Sequence, residues 1–214
     1  MERKSFINNK SVSIILYVMY GVGVLGHSLQ YSRELMLTLT PFTLLFTGGL
    51  VIYILMNDNN EIGKWLIVTY LITYSLELIG VKSGAIFGNY HYGNVLGPKI
   101  FETPIIIGLN WILVILGALV ITKKFINKSP AFIIIFAPLL AVTFDFVLEP
   151  VAVKLNYWSW DGGVIPFQNY VAWYIIAFIF SAYFVLLKIE IKSKLAANYF
   201  LIQFVFFIIL NLVL

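Results

Sequence analysis

Asp145 and Glu149 lie four residues apart in the run AFIIIFAPLLAVTFDFVLEP, and Glu77 lies in the run WLIVTYLITYSLELIG. A carboxylate in hydrocarbon is costly unless it is paired, wetted or protonated, so an acid in such a run marks a functional site by default. Residues four apart share a helical face if the helix persists to Pro150. Two carboxyl groups this close in a poor dielectric do not both ionise easily; the pair retains a proton and titrates as a unit. With Glu77, the set offers a protonated acid beside a potential base, which is what acid–base chemistry on an apolar substrate requires. Taken singly, Glu77 would also suit a helix–helix hydrogen bond, and His27 a satisfied interfacial histidine. Three acids at one depth argue for a site.

The segments that must hold these acids read as membrane helices. The chain has 214 residues, 61% hydrophobic and 11% charged, where a soluble domain carries about 25% charged residues. It is expected to be an all-α integral membrane protein, one polytopic domain over 1–214. Its net charge of +4 comes from loop lysines and argues topology, not nucleic-acid binding. With no cysteine, disulfides, thiolate metal sites and cysteine nucleophiles are excluded. The basic amino terminus MERKSFINNK is followed by no small-residue cleavage site, so an uncleaved first span is expected. A span needs about 20 apolar residues. Seven are expected, over 11–30, 36–56, 64–80, 104–122, 130–149, 167–188 and 196–214.

Basic residues set the expected orientation. Arg3, Lys4, Lys10, Lys64, Lys123, Lys124, Lys128, Lys188, Lys192 and Lys194 fall on one side; Arg33, Lys82, Lys99 and Lys154 fall on the other. The positive-inside rule puts the amino terminus in the cytoplasm and the carboxyl terminus outside, in the cell (inner) membrane. Glu77, Asp145, Glu149 and His27 then all lie near the outer ends of their spans. The two long connections, 81–103 and 150–166, are outside with them. With Gly80 just before it, the first holds five of the fifteen glycines, which permit tight backbone turns, so it is expected to fold back over the helix ends. Its centre is Tyr90-His91-Tyr92, and the second connection carries Tyr157, Trp158 and Trp160, with Trp173 in the span that follows. Each aromatic alone would suit an interfacial anchor.

The stretch ELIGVKSGAIFGNYHYGNVLGP from Glu77 to Pro98, followed by Pro104 and Asn110-Trp111, resembles the first signature of the CruF-type membrane carotenoid-synthesis family. Asp145-Phe-Val-Leu-Glu-Pro150, then NYWSWD from Asn156, IPFQN ending at Asn169, and Trp173, resembles the second. The resemblance covers most of residues 70–180. It implies a cofactor-independent hydratase that adds water to the terminal 1',2' double bond of an acyclic ψ-end carotenoid, such as γ-carotene or lycopene. The partners implied are carotenoid, water and the lipid bilayer, with other pathway enzymes or a second copy of the chain as further candidates. On physical grounds Asp145 is the expected proton donor, Glu149 tunes it, and Glu77 positions or deprotonates the water. Trp158, Trp160, Trp111 and Tyr90 line the end-group pocket, where aromatic faces stabilise a carbocation. His27, Phe87, His91, Tyr92, Asn110, Tyr157, Asn169 and Trp173 complete the expected substrate-binding set.

Two other readings stay open. A carotenoid end-group cyclase begins with the same protonation but quenches the cation by ring closure. A proton-coupled transporter would also use intramembrane acids, although no inverted repeat is visible. A retinal Schiff base does not suit this chain, since the seventh span has no lysine. Metal catalysis is disfavoured, because the two histidines, His27 and His91, lie on different segments.

Overall fold

In lipid every backbone polar group must be satisfied within its own segment, so apolar runs of this length fold as helices. The computed structural model describes residues 8–126 and 129–214. It contains seven helices long and apolar enough to cross a membrane: α1 (Asn9–Ser28), α2 (Gln30–Asp58), α3 (Ile62–Ser83), α4 (Ile106–Ile121), α5 (Pro130–Lys154), α6 (Phe167–Leu186) and α7 (Leu195–Val213). The chain is a multi-pass membrane bundle. Of the basic residues that set the expected orientation, Arg3, Lys4 and Lys128 lie outside the described residues.

Three expected boundaries move. The polar break at Tyr31–Glu34 is helical, and only Leu29 separates α1 from α2. Ser32 and Arg33 turn back to donate to the carbonyls of Gly26 and His27, each at 2.8 Å, so they cap the corner instead of forming a loop. Helix α3 gains residues at both ends and stops where Gly84 takes a left-handed conformation (φ 65°) that favours glycine. Helix α5 runs through Pro150 to Lys154. Proline removes one ladder bond, a loss that membrane helices tolerate when packed against neighbours. Glu149 is therefore inside the helix and one turn from Asp145, not at its end.

Helix α4 is the axis of the bundle. In its most apolar stretch 78% of residues are buried in protein, against 22–44% in the other six. It packs on α2, α3, α5, α6 and α7. The outer helices present Leu, Ile, Val and Phe outward, which is the surface a bilayer solvates.

The helices alternate in direction, so the connections 84–105 and 155–166 emerge at one end. Four short strands organise them: β1 (Tyr90–Tyr92), β2 (Lys99–Ile100), β3 (Thr103–Pro104) and β4 (Trp158–Trp160). β2 and β3 form a hairpin. Its flanks are fastened to α3, where Tyr74 donates to Thr103 O (3.0 Å) and Tyr70 to Ile105 O (2.9 Å). The first connection is folded onto the helix ends, as its glycines suggest.

Candidate active site

The two connections are joined to each other. β1 and β4 pair antiparallel, with Tyr90 opposite Trp160, His91 opposite Ser159 and Tyr92 opposite Trp158. The ladder is extended by Gly93 N–H donating to Tyr157 O (2.9 Å) and Asp161 N–H to Asn89 O (3.0 Å). A side chain on Gly93 would put its Cβ 2.0 Å from Asn156 O, so only glycine allows this approach. Successive strand residues face opposite ways. Tyr90, Tyr92, Trp158 and Trp160 accordingly turn down toward the helices, and His91 and Ser159 turn away.

Each aromatic facing down carries one donor, and each donor meets an acid. Glu77 Oε2 accepts from the Tyr90 and Tyr92 hydroxyls at 2.5 and 2.8 Å, and its Oε1 accepts from Trp111 Nε1 at 2.7 Å. Glu149 Oε2 accepts from Trp158 and Trp160 Nε1 at 2.9 and 2.8 Å. The Asn169 amide, in the first turn of α6, donates to Asp145 Oδ2 (2.8 Å) and Glu149 Oε1 (3.2 Å), and so bridges the two acids. Five of the six carboxyl oxygens accept a hydrogen bond. The sixth, Asp145 Oδ1, is buried and has no partner among the described residues, and Asp145 as a whole is 1% exposed. Burial and the adjacent Glu77 carboxylate hold the Tyr90 and Tyr92 phenols well above their usual range, so both stay protonated donors.

All three acids border one largely apolar cavity of about 310 Å³. The rings around it interlock. Trp111 stacks on Trp173 with centroids 3.7 Å apart, Tyr90 tilts against Trp160 at 5.1 Å, and Phe87 meets the edge of Tyr90. Of the residues expected from sequence, His27, Phe87, Asn110, Tyr157, Asn169 and Trp173 also reach this cavity. Burial pushes the Tyr157 phenol up to about 12.

His91 does not reach the cavity. Strand alternation turns it outward, where its side chain is 70% exposed and lies 3.3 Å from Asp161. His27 is the histidine that borders the cavity. Its Nδ1 pairs with Gly23 O at 2.8 Å, and its buried Nε2 has no partner among the described residues. Sequence reasoning also missed the far wall, built from α1, α2 and α7 with Tyr20, Thr40 and Gln203. Gln203 donates to the Tyr20 and Tyr199 hydroxyls at 2.6 and 3.0 Å. A lone glutamine in the run YFLIQFVFF was the available signal.

A seven-helix membrane bundle with three carboxyl groups beneath an aromatic lid around an apolar cavity defines a class: a membrane protein that presents acids to an apolar cavity. The family model described as carotenoid biosynthesis protein matches residues 39–214. The chain belongs to that carotenoid biosynthesis family. It is also similar to the bisanhydrobacterioruberin hydratase of Haloarcula japonica, 27% identical over 122 residues, covering 54% of this chain and 42% of that protein. The chain thus aligns with less than half the length of this curated relative. No solved structure matches.

Proposed function

We propose that this protein hydrates the terminal 1',2' double bond of an acyclic ψ-end carotenoid, with Asp145 as the proton donor. The observation that carries this reading is the bare Asp145 Oδ1 in an apolar cavity where every other carboxyl oxygen is engaged. A proton on Oδ1 has no acceptor among the described residues and is available to a substrate. Asp145 Oδ1–H protonates the less substituted alkene carbon, and the π pair forms the new C–H bond. The adjacent carbon becomes a tertiary cation. Water adds to it, and the released proton returns to the Asp145 carboxylate, which leaves a tertiary alcohol and the starting enzyme.

Glu149 and Glu77 here share one part, in place of the tuning expected of Glu149 and the positioning or deprotonation of water expected of Glu77. Each is held as an acceptor by three donors. Their oxygens, oriented by those donors before the reaction, stabilise the cation as it forms. The Trp111, Trp173 and Trp160 rings add cation–π attraction, about 2 kcal/mol each when desolvated. His27 Nε2 is a candidate to orient the water. A reaction of this kind needs no redox cofactor, and its partners are carotenoid, water and bilayer. The similarity to a hydratase supports water capture over ring closure.

The test is expression in cells that accumulate lycopene, followed by mass analysis of the carotenoids. A product heavier by one water, with a tertiary alcohol, is expected from the native chain and is lost in Asp145→Asn. A cyclised isomer with unchanged mass would sink the hydratase reading.

A further inference from the structure

We infer that the polyene tail of the substrate leaves the cavity sideways, through a lipid-facing crevice between α1 and α2, so that the carotenoid is taken directly from the bilayer. The inference rests on the carotenoid reading above. The cavity, at about 310 Å³, is at the low end of the range of roughly 300–1,000 Å³ that houses drug-sized ligands. It accommodates an end group, and a full-length carotenoid must extend beyond it.

The way out is visible in the lining. Most residues that border the cavity are buried or half-buried, but Val18 and Val22 on α1 are 59% and 55% exposed, and Leu39 on α2 is 41% exposed. These side chains touch the cavity and the lipid-facing surface together. Val18 and Val22 are four residues apart and share one face of α1. The two helices are tight at their corner, where a Cβ on Gly26 would lie 2.5 Å from Met36. One turn deeper, Val22 and Leu39 both border the cavity while exposed on the outer surface. On the α2 side it is bordered by Thr40 and Thr43, and Pro41 lies at the same level. Pro41 cannot donate its ladder bond, so the wall is least braced there. The crevice is apolar on both outer lips, which suits a hydrocarbon polyene and not a charged ligand.

The chain contains no cysteine, so single cysteines report individual positions. Val22→Cys and Leu39→Cys probe the two lips, and Leu71→Cys, 58% exposed on α3 and away from the cavity, is the control. Each variant is reconstituted in phosphatidylcholine vesicles with and without lycopene. The rate of modification by a lipid-soluble maleimide is then measured. Lycopene is expected to slow modification at residues 22 and 39 at least fivefold and to leave residue 71 unchanged. Equal rates with and without lycopene at both lips, or equal slowing at all three sites, overturn the crevice. Turnover without protection fails the crevice and keeps the hydratase; protection without a hydrated product fails the hydratase and keeps the crevice.

Discussion

Asp145 and Glu77 are both buried acids, yet their surroundings demand different consequences from the same loss of charge. In Asp145→Asn the amide oxygen can still accept from Asn169, and the new N–H2 occupies the side that had no partner. The protein should keep its thermal midpoint and lose at least about a hundredfold in hydration rate, the scale of general acid catalysis. In Glu77→Gln an amide donor must face one of three existing donors, Tyr90, Tyr92 or Trp111. Leaving one buried donor unpaired costs about 1–3 kcal/mol, so this variant should melt about 5 °C lower. Differential scanning fluorimetry in detergent, read beside product formation, separates the two. A midpoint in Glu77→Gln equal to the native one would remove the anchoring role given to Glu77. Asn169→Ala withdraws the donor shared by Asp145 and Glu149 and should lower the rate with the substrate pocket otherwise intact; a native rate would show that the bridge is dispensable.

The decisive elements are the shortest ones. β1 and β4 have three residues each, yet their register selects which aromatics meet the acids. A slip of one residue would turn His91 and Ser159 inward and leave Glu77 and Glu149 without their Tyr and Trp donors. Gly93 guards that register. Gly93→Ala brings a methyl group onto Asn156 O and should cost about 2 kcal/mol, or roughly 5 °C in midpoint. It should also redshift tryptophan emission as Trp158 and Trp160 become wet. An unchanged spectrum would mean that the strand pairing is not what shields those indoles. Part of this layer was legible in advance: the glycine density of the first connection implied a folded loop. The Tyr-x-Tyr and Trp-x-Trp spacings are those of strand faces, a signal that sequence reasoning passed over. The pairing of the two connections was not legible, because it joins residues 66–70 apart through backbone bonds that carry no side-chain signature.

Across the whole molecule, the lysines gather at the end opposite the lid. Lys123 reaches Ile189 O, and Lys124 reaches Lys192 O and Ser193 O, tying the α4–α5 and α6–α7 connections together. Among the described residues seven basic side chains fall at that end and four at the lid end. The expected orientation therefore sets the lid outside the cell membrane and the amino terminus in the cytoplasm. Single cysteines at Val164, in the second connection, and at Lys64 test it. An impermeant maleimide should label the first in intact cells and the second only after permeabilisation; the reverse pattern inverts the topology.

The sequence by itself determined the number of spans, the all-α class and the shared depth of the three acids. Those follow from apolar run length and charge placement, which are local properties of the chain. Of the fifteen site residues it pointed to, all but His91 border the cavity, because short motifs hold them together in sequence. Tertiary structure decided what proximity in sequence does not encode. It turned His91 out and made His27 the histidine at the cavity, it brought α1, α2 and α7 in as the far wall, and it left Asp145 Oδ1 alone without a donor. The physical reason is that a hydrogen bond depends on the direction of a particular atom, and here those directions are fixed by packing between segments far apart in the chain.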